Sequence, residues 1–143
     1  MRRLIVLSVL STGLIAAGMV GAQSTGLTHA QAQARLTAAG YENVRDLEFD
    51  DGFWEAHVRS ADGSWIDARV HPVSGKVYAE GTTPKLDAKA ISSTLAAAGY
   101  SDIRDIDFDD GVWTVDARDK AGAKVDLAVD PDDGTVLFEH PDD

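Results

Sequence analysis

Residues 46–54 read DLEFDDGFW, and residues 105–113 read DIDFDDGVW. A phrase of acids and aromatics that returns 59 positions later is either a site or one structural unit used twice. Shifted by that interval, residues 27–81 align with 86–140 without a gap. About 20 of the roughly 55 pairs are identical, which marks a tandem repeat. The matches include Gly40-Tyr41 with Gly99-Tyr100, Trp54 with Trp113, Gly63 with Gly122, Pro72 with Pro131 and Gly75 with Gly134. Between the copies, residues 82–85 are a short linker by composition.

Each copy begins with a helix signal. Thr28 is an N-cap and Gln31, three residues on, completes a capping box; Asp87 takes the cap position in the second copy. Ala32, Leu36 and Ala39 lie at helical spacing, as do Ala88, Ile91, Leu95 and Ala98. Gly40 and Gly99 then end the helices, since glycine enters the left-handed conformation without strain. Four strands are expected to follow, over 44–50, 53–60, 65–71 and 76–80 in the first copy. Asp51-Gly52 and Asp110-Gly111 are the pairs a two-residue type I′ hairpin requires, and they register Phe49 beside Trp54 and Phe108 beside Trp113. The opening phrase is therefore read as turn punctuation between two strands rather than as a cation site. Alternation turns Trp54, Ala56 and Val58, with Ile66, Ala68 and Val70, towards the helix, and the second copy repeats the pattern. The expected fold class is α+β: two tandem α-β-β-β-β repeats (23–81 and 86–140, then a tail at 141–143), each one helix on a four-stranded antiparallel sheet.

Met1-Arg2-Arg3 followed by an apolar run to Val20-Gly21-Ala22 has the three parts of a secretory signal peptide, residues 1–22. Without cysteine there is no lipid attachment site, so no stable membrane anchor is expected after cleavage, and the protein is expected to be periplasmic or secreted. The formal charge is −11, and it becomes −13 once Arg2 and Arg3 leave 24 acids facing 11 bases. That balance disfavours nucleic acid. It suits basic proteins, peptides or cations as partners, or simply solubility. Among the motifs with a chemical mechanism, none is present: no P-loop, nucleophile elbow, His-Glu-x-x-His or EF-hand loop. No enzymatic activity and no cofactor are expected. His57 and His71 share the outward face four residues apart along neighbouring strands, about 13 Å, too far for one metal ion.

The order helix, hairpin, hairpin, with Trp113-Thr114-Val115-Asp116-Ala117-Arg118, then Gly122, then Asp130-Pro131-Asp132-Asp133-Gly134-Thr135-Val136, resembles the PepSY domain family. The first copy departs at His71, where the family usually has Asp. The resemblance spans both repeats and implies an extracytoplasmic, non-enzymatic module. Such domains occur in propeptides of thermolysin-like metalloproteases, where they are linked to inhibition, and in exported or membrane-anchored bacterial proteins. It brings no catalytic residues with it.

The copies diverge on the outward sheet face. The first shows Phe53, Trp65 and Tyr78, with Arg59 and Arg69; the second has no aromatic at the matching positions. These rings are either anchors for a partner, as exposed Trp and Tyr framed by Arg often are, or packing within the sheet, against the other repeat or against a second chain. The leading expectation is a binding module that presents Phe53, Trp65, Tyr78, Arg59 and Arg69 to a protein or peptide in the cell envelope, an envelope protease among the candidates. The alternative is an acidic periplasmic protein with weak divalent-cation sites at Asp116, Asp126 and Asp130, extended by Asp132 and Asp133. In that repeat Asp116 should face Asp126 directly across two strands, a like-charge pair that a partner's basic side chain, a divalent cation, or the nearby Arg118 and Lys124 would relieve.

Overall fold

A computed structural model describes residues 26–142; the expected signal peptide lies outside the described residues. Each repeat is one helix followed by a four-stranded antiparallel meander. The first comprises α1 (His29–Ala38), β1 (Glu42–Asp50), β2 (Phe53–Arg59), β3 (Trp65–Val70) and β4 (Val77–Ala79). The second comprises α2 (Ala88–Ala97), β5 (Ser101–Asp109), β6 (Val112–Arg118), β7 (Lys124–Val129) and β8 (Val136–Pro141). The strands form two separate sheets, ordered β1-β2-β3-β4 and β5-β6-β7-β8, so the α+β class and the twofold repetition are as expected.

The local chemistry follows the residues that predicted it. Thr28 and Gln31 form the reciprocal capping box, and the Asp87 side chain accepts from the Ala90 N–H. Asp51 and Gly52 both have positive φ, as do Asp110 and Gly111, the type I′ geometry. Leu36, Ala56, Val58, Ala68 and Val70 make the core of the first repeat; Ile91, Leu95, Val115, Leu127 and Val129 are central to the second. The repeated tryptophan has a structural task besides burial. Its indole N–H reaches back 27 residues to the carbonyl preceding the helix cap, Trp54 to Leu27 at 3.1 Å and Trp113 to Leu86 at 3.0 Å. It thereby ties the helix entry to the second strand, and DDG-x-W is the phrase that aims it.

The first strand of each repeat does not alternate simply. β1 carries register shifts with positive φ at Asn43 and Asp46, and β5 carries the same shifts at Asp102 and Asp105. Each bulge inserts one extra residue, so the residues touching the core are spaced by three: Tyr41, Val44 and Leu47, then Tyr100, Ile103 and Ile106. Asn and Asp tolerate the left-handed conformation better than other residues with a Cβ. The bulges also roughen an otherwise open edge strand.

The two outward faces meet at one end. Phe53, Tyr78, Val112 and Ala128 form a third buried cluster, flanked by Leu137 and Phe138. The contacts come in exchanged pairs. Gly52 lies under the Phe138 ring, and its counterpart Gly111 lies against the backbone of Ala79, the counterpart of Phe138. His71 reaches the Leu137 carbonyl, and its counterpart Asp130 reaches Tyr78, the counterpart of Leu137. Residue i meeting j while j meets i is the rule of a twofold interface, so the repeats pack as a pseudo-dimer within one chain.

Candidate functional site

Phe53 and Tyr78 were expected on an open face. They are instead 1% and 4% exposed, enclosed by the second repeat, with their rings 6.4 Å apart. The reason lies in their position: both sit at the end of the sheet where the repeats meet, and there the apolar Val112 and Ala128 complement them. Arg69 is drawn into the same junction. Its Nε lies 3.0 Å from Glu55 Oε1, an ion pair without hydrogen-bond alignment, and its Nη2 lies 3.4 Å from Asp110 Oδ2 in the other repeat. Of the five residues, Trp65 and Arg59 remain exposed, at the far end of the face. Trp65 is 42% exposed, opposite Arg59 in register, with the Arg45 guanidinium 4.3 Å from its ring centroid.

The junction is locked by polar groups at equivalent positions. Asp130, 3% exposed, accepts from the Asp132 and Asp133 N–H groups through Oδ1, and from Tyr78 Oη (2.6 Å) and Lys76 Nζ (2.7 Å) through Oδ2. Burial alone would raise its pKa. The hydrogen bonds from Lys76, Tyr78 and the turn outweigh that and leave it below the ordinary carboxylate range. Burial and the neighbouring carboxylate push the Tyr78 phenol well up. His71 performs the same task with imidazole. Its Nδ1 accepts from the Val73 and Ser74 N–H groups at 3.2 and 3.1 Å, which assigns the proton to Nε2, the donor to Leu137 O at 3.2 Å. The departure from Asp at residue 71 is thus explained: the partner atom across the interface is a carbonyl, which needs a donor, where Asp130 faces two donors and needs a lone pair.

The weak cation set Asp116, Asp126 and Asp130 does not converge. Asp130 is saturated by Lys76 and Tyr78, and among the described residues the three carboxylates that approach one another within 4.8 Å are Asp67, Glu80 and Asp110. Within that set Asp110 is engaged by Arg69 and Glu80 accepts from the Asp67 N–H. Asp116 does stand opposite Asp126; burial, Asp126 and Asp105 together raise its pKa. His57 likewise faces Asp67, with Nδ1 2.5 Å from the carboxylate.

Beside the junction lie two clefts related by the same pseudo-twofold. The first, about 180 Å³, is bounded by Glu55, His57, Asp67, Arg69 and Asp110. The second, about 360 Å³, has Thr114, Asp116, Asp126, Ala128 and Asp51 at the corresponding places. Sequence reasoning found neither cleft, because each is lined from both repeats and appears only once the sheets are docked. The aligned pair Arg69 and Ala128 was the available signal.

Among the described residues no helix is long and apolar enough to cross a membrane. No curated protein matches the chain. The sequence profile described as the peptidase propeptide and YPEB domain matches it twice, over residues 3–81 and 78–140. Domains of this kind are generally non-catalytic and are typical of exported proteins. Each matched region spans one of the two α-β-β-β-β units described above almost entirely and also reaches beyond it at its N-terminal end, and the chain belongs to this PepSY family as a tandem pair.

Proposed function

We propose that the protein is an exported, non-enzymatic binding module whose first repeat presents the exposed end of its outward face to a protein or peptide in the cell envelope, a peptidase being the partner class its family suggests. The observation that carries this reading is Trp65, exposed yet held in place. Arg45 stacks on it and Arg59 stands opposite, while its counterpart in the second repeat is Lys124. An indole framed by guanidinium groups combines large apolar area with directed polar contacts, the composition of interface anchors. Membership of a family found in peptidase propeptides supports the partner class, and the acidic chain favours a basic partner surface.

The test places a photo-crosslinking amino acid at residue 65 of the protein in living cells, and at residue 124 as the control. Crosslinked species formed from residue 65 and absent from residue 124 are expected, and so is their loss when Arg45 and Arg59 are both changed to Ala. Recovery of a peptidase would establish the regulatory sense of the binding. Identical products from both positions would defeat the proposal.

A further inference from the structure

The two clefts have the same frame and opposite contents. In the first, the chain supplies its own guanidinium: Arg69 lies between Glu55 and Asp110, with Cζ 5.8 Å from the Phe53 ring centroid. In the second, the counterpart of Arg69 is Ala128, whose methyl is too short to fill the space, and the cleft is twice as large. Its rim keeps the acids. Asp51 is the counterpart of Asp110, Asp126 of Asp67, and Asp116 replaces His57. Its accessible aromatic surface is the half-buried Phe138; the Phe53 ring, with its centroid 6.5 Å away, is buried behind it at 1% exposure. One guanidinium, Arg69, and the imidazole of His140 border the cleft. Arg69 is already engaged by Glu55 and Asp110, and His140 stands at the edge opposite Asp126. Asp116 and Asp126 meet across the strands, with Arg104 opposite Asp116 on its other side and His140 opposite Asp126; a cation arriving between the two carboxylates relieves their repulsion.

From this internal comparison we infer that the cleft of the second repeat is a receptor for an arginine side chain of a partner peptide. The guanidinium would lie beside the half-buried Phe138 ring and between Asp51, Asp116 and Asp126, in the place that Arg69 fills in the first cleft. Arginine fits better than lysine because a planar cation stacks on aromatic faces while its edge meets carboxylates. This site is on the other repeat from Trp65 and does not depend on the function proposed above; crosslinking at residue 65 and binding in this cleft are separate observations.

The experiment is an NMR titration of the full secreted chain, ¹⁵N-labelled, with the peptide acetyl-Gly-Arg-Gly-amide. The same peptide with citrulline, which keeps the shape and loses the charge, is the comparison. Saturating shifts are expected at the amides of Thr114, Asp126 and Phe138, with an affinity on the order of 1 mM for so small a probe. Citrulline should bind about tenfold more weakly or not at all, since a charge-assisted hydrogen bond is lost. Two variants should lose the same response: Ala128→Arg, which fills the cleft as Arg69 fills the other, and Asp126→Asn, an exposed change that leaves the interior alone. Where Ala128→Arg does not fold, Asp126→Asn decides the matter by itself. Equal shifts with citrulline, shifts that survive Asp126→Asn, shifts confined to the first repeat, or none at about ten times that concentration would each overturn the inference.

Discussion

The two repeats share their inward faces and part on their outward ones, and the difference shows what a duplicated unit is free to change. Inward, each helix needs the same apolar cradle and each tryptophan the same carbonyl, so Leu36 with Leu95, Trp54 with Trp113 and Val70 with Val129 stay identical. Outward, a twofold contact no longer has to be self-complementary once both halves are encoded in one chain. Phe53 then opposes a smaller Val112, His71 and Asp130 divide donor and acceptor duty, and Arg69 closes a cleft that Ala128 leaves open. The first repeat supplies most of the rings and the cations of the junction; the second supplies the Phe138 ring, small residues and most of the acids.

The largest test of this asymmetry is Phe53→Ala against Val112→Ala. Phe53 is fully enclosed, so its truncation should cost about 3–5 kcal/mol in chemical denaturation, and the valine change clearly less. Equal losses would mean that the junction is not built around the ring. Such a result would also return Phe53 to consideration as a surface anchor.

Next in size, Gly111→Ala should cost roughly 2–5 kcal/mol. A Cβ there would stand 2.5 Å from the Ala79 backbone nitrogen, with φ at +84°. Gly52→Ala meets only the Phe138 side chain, which can swing aside, so its cost should be smaller by melting temperature. If Gly52→Ala proves the worse, the hairpin of the second repeat does not press on β4 as described.

Asp130→Asn should cost about 2–4 kcal/mol at neutral pH, because its amide sets a donor against Tyr78, Lys76 or the turn N–H groups. The folded pKa of Asp130 is lowered, so the stability it contributes is present above the ordinary carboxylate pKa. That contribution is lost as pH falls through the lower folded value. The deficit of the variant should therefore shrink in acid. His71→Asp, which restores the family's usual residue, should destabilise rather than stabilise, since Leu137 O would face a carboxylate.

The smallest effect has the opposite sign. Asp116 has a raised folded pKa, so its charge costs stability at neutral pH and the cost disappears as pH falls through that value. Asp116→Asn should raise stability at pH 7 by a few tenths and at most about 1 kcal/mol, given partial exposure and screening by solvent. The gain should vanish below about pH 3, where the carboxyl is neutral in folded and unfolded chains alike. A gain that persists in acid would locate the benefit elsewhere than in the Asp116–Asp126 pair.

Local chemistry made much of this molecule legible in its sequence. Caps, Asp-Gly turns, alternation and the 59-residue repeat each depend on neighbours along the chain, and they determined two helices, eight strands and the facing of nearly every core residue. The bulges of β1 and β5 were also written there, in apolar residues spaced by three with Asn or Asp in between, a period that the reading of the first strands did not use. Two adjacent registers, His57 with Asp67 and Asp116 with Asp126, followed from loop length alone. What only the tertiary structure decided is which outward residues stay in water. Phe53, Trp65 and Tyr78 look alike in the sequence, each an aromatic on the same face. The docking of a second sheet over one end of that face buries two of them and leaves the third exposed. Burial of that kind depends on surfaces brought together from residues some 60 apart, and no local pattern encodes their contact.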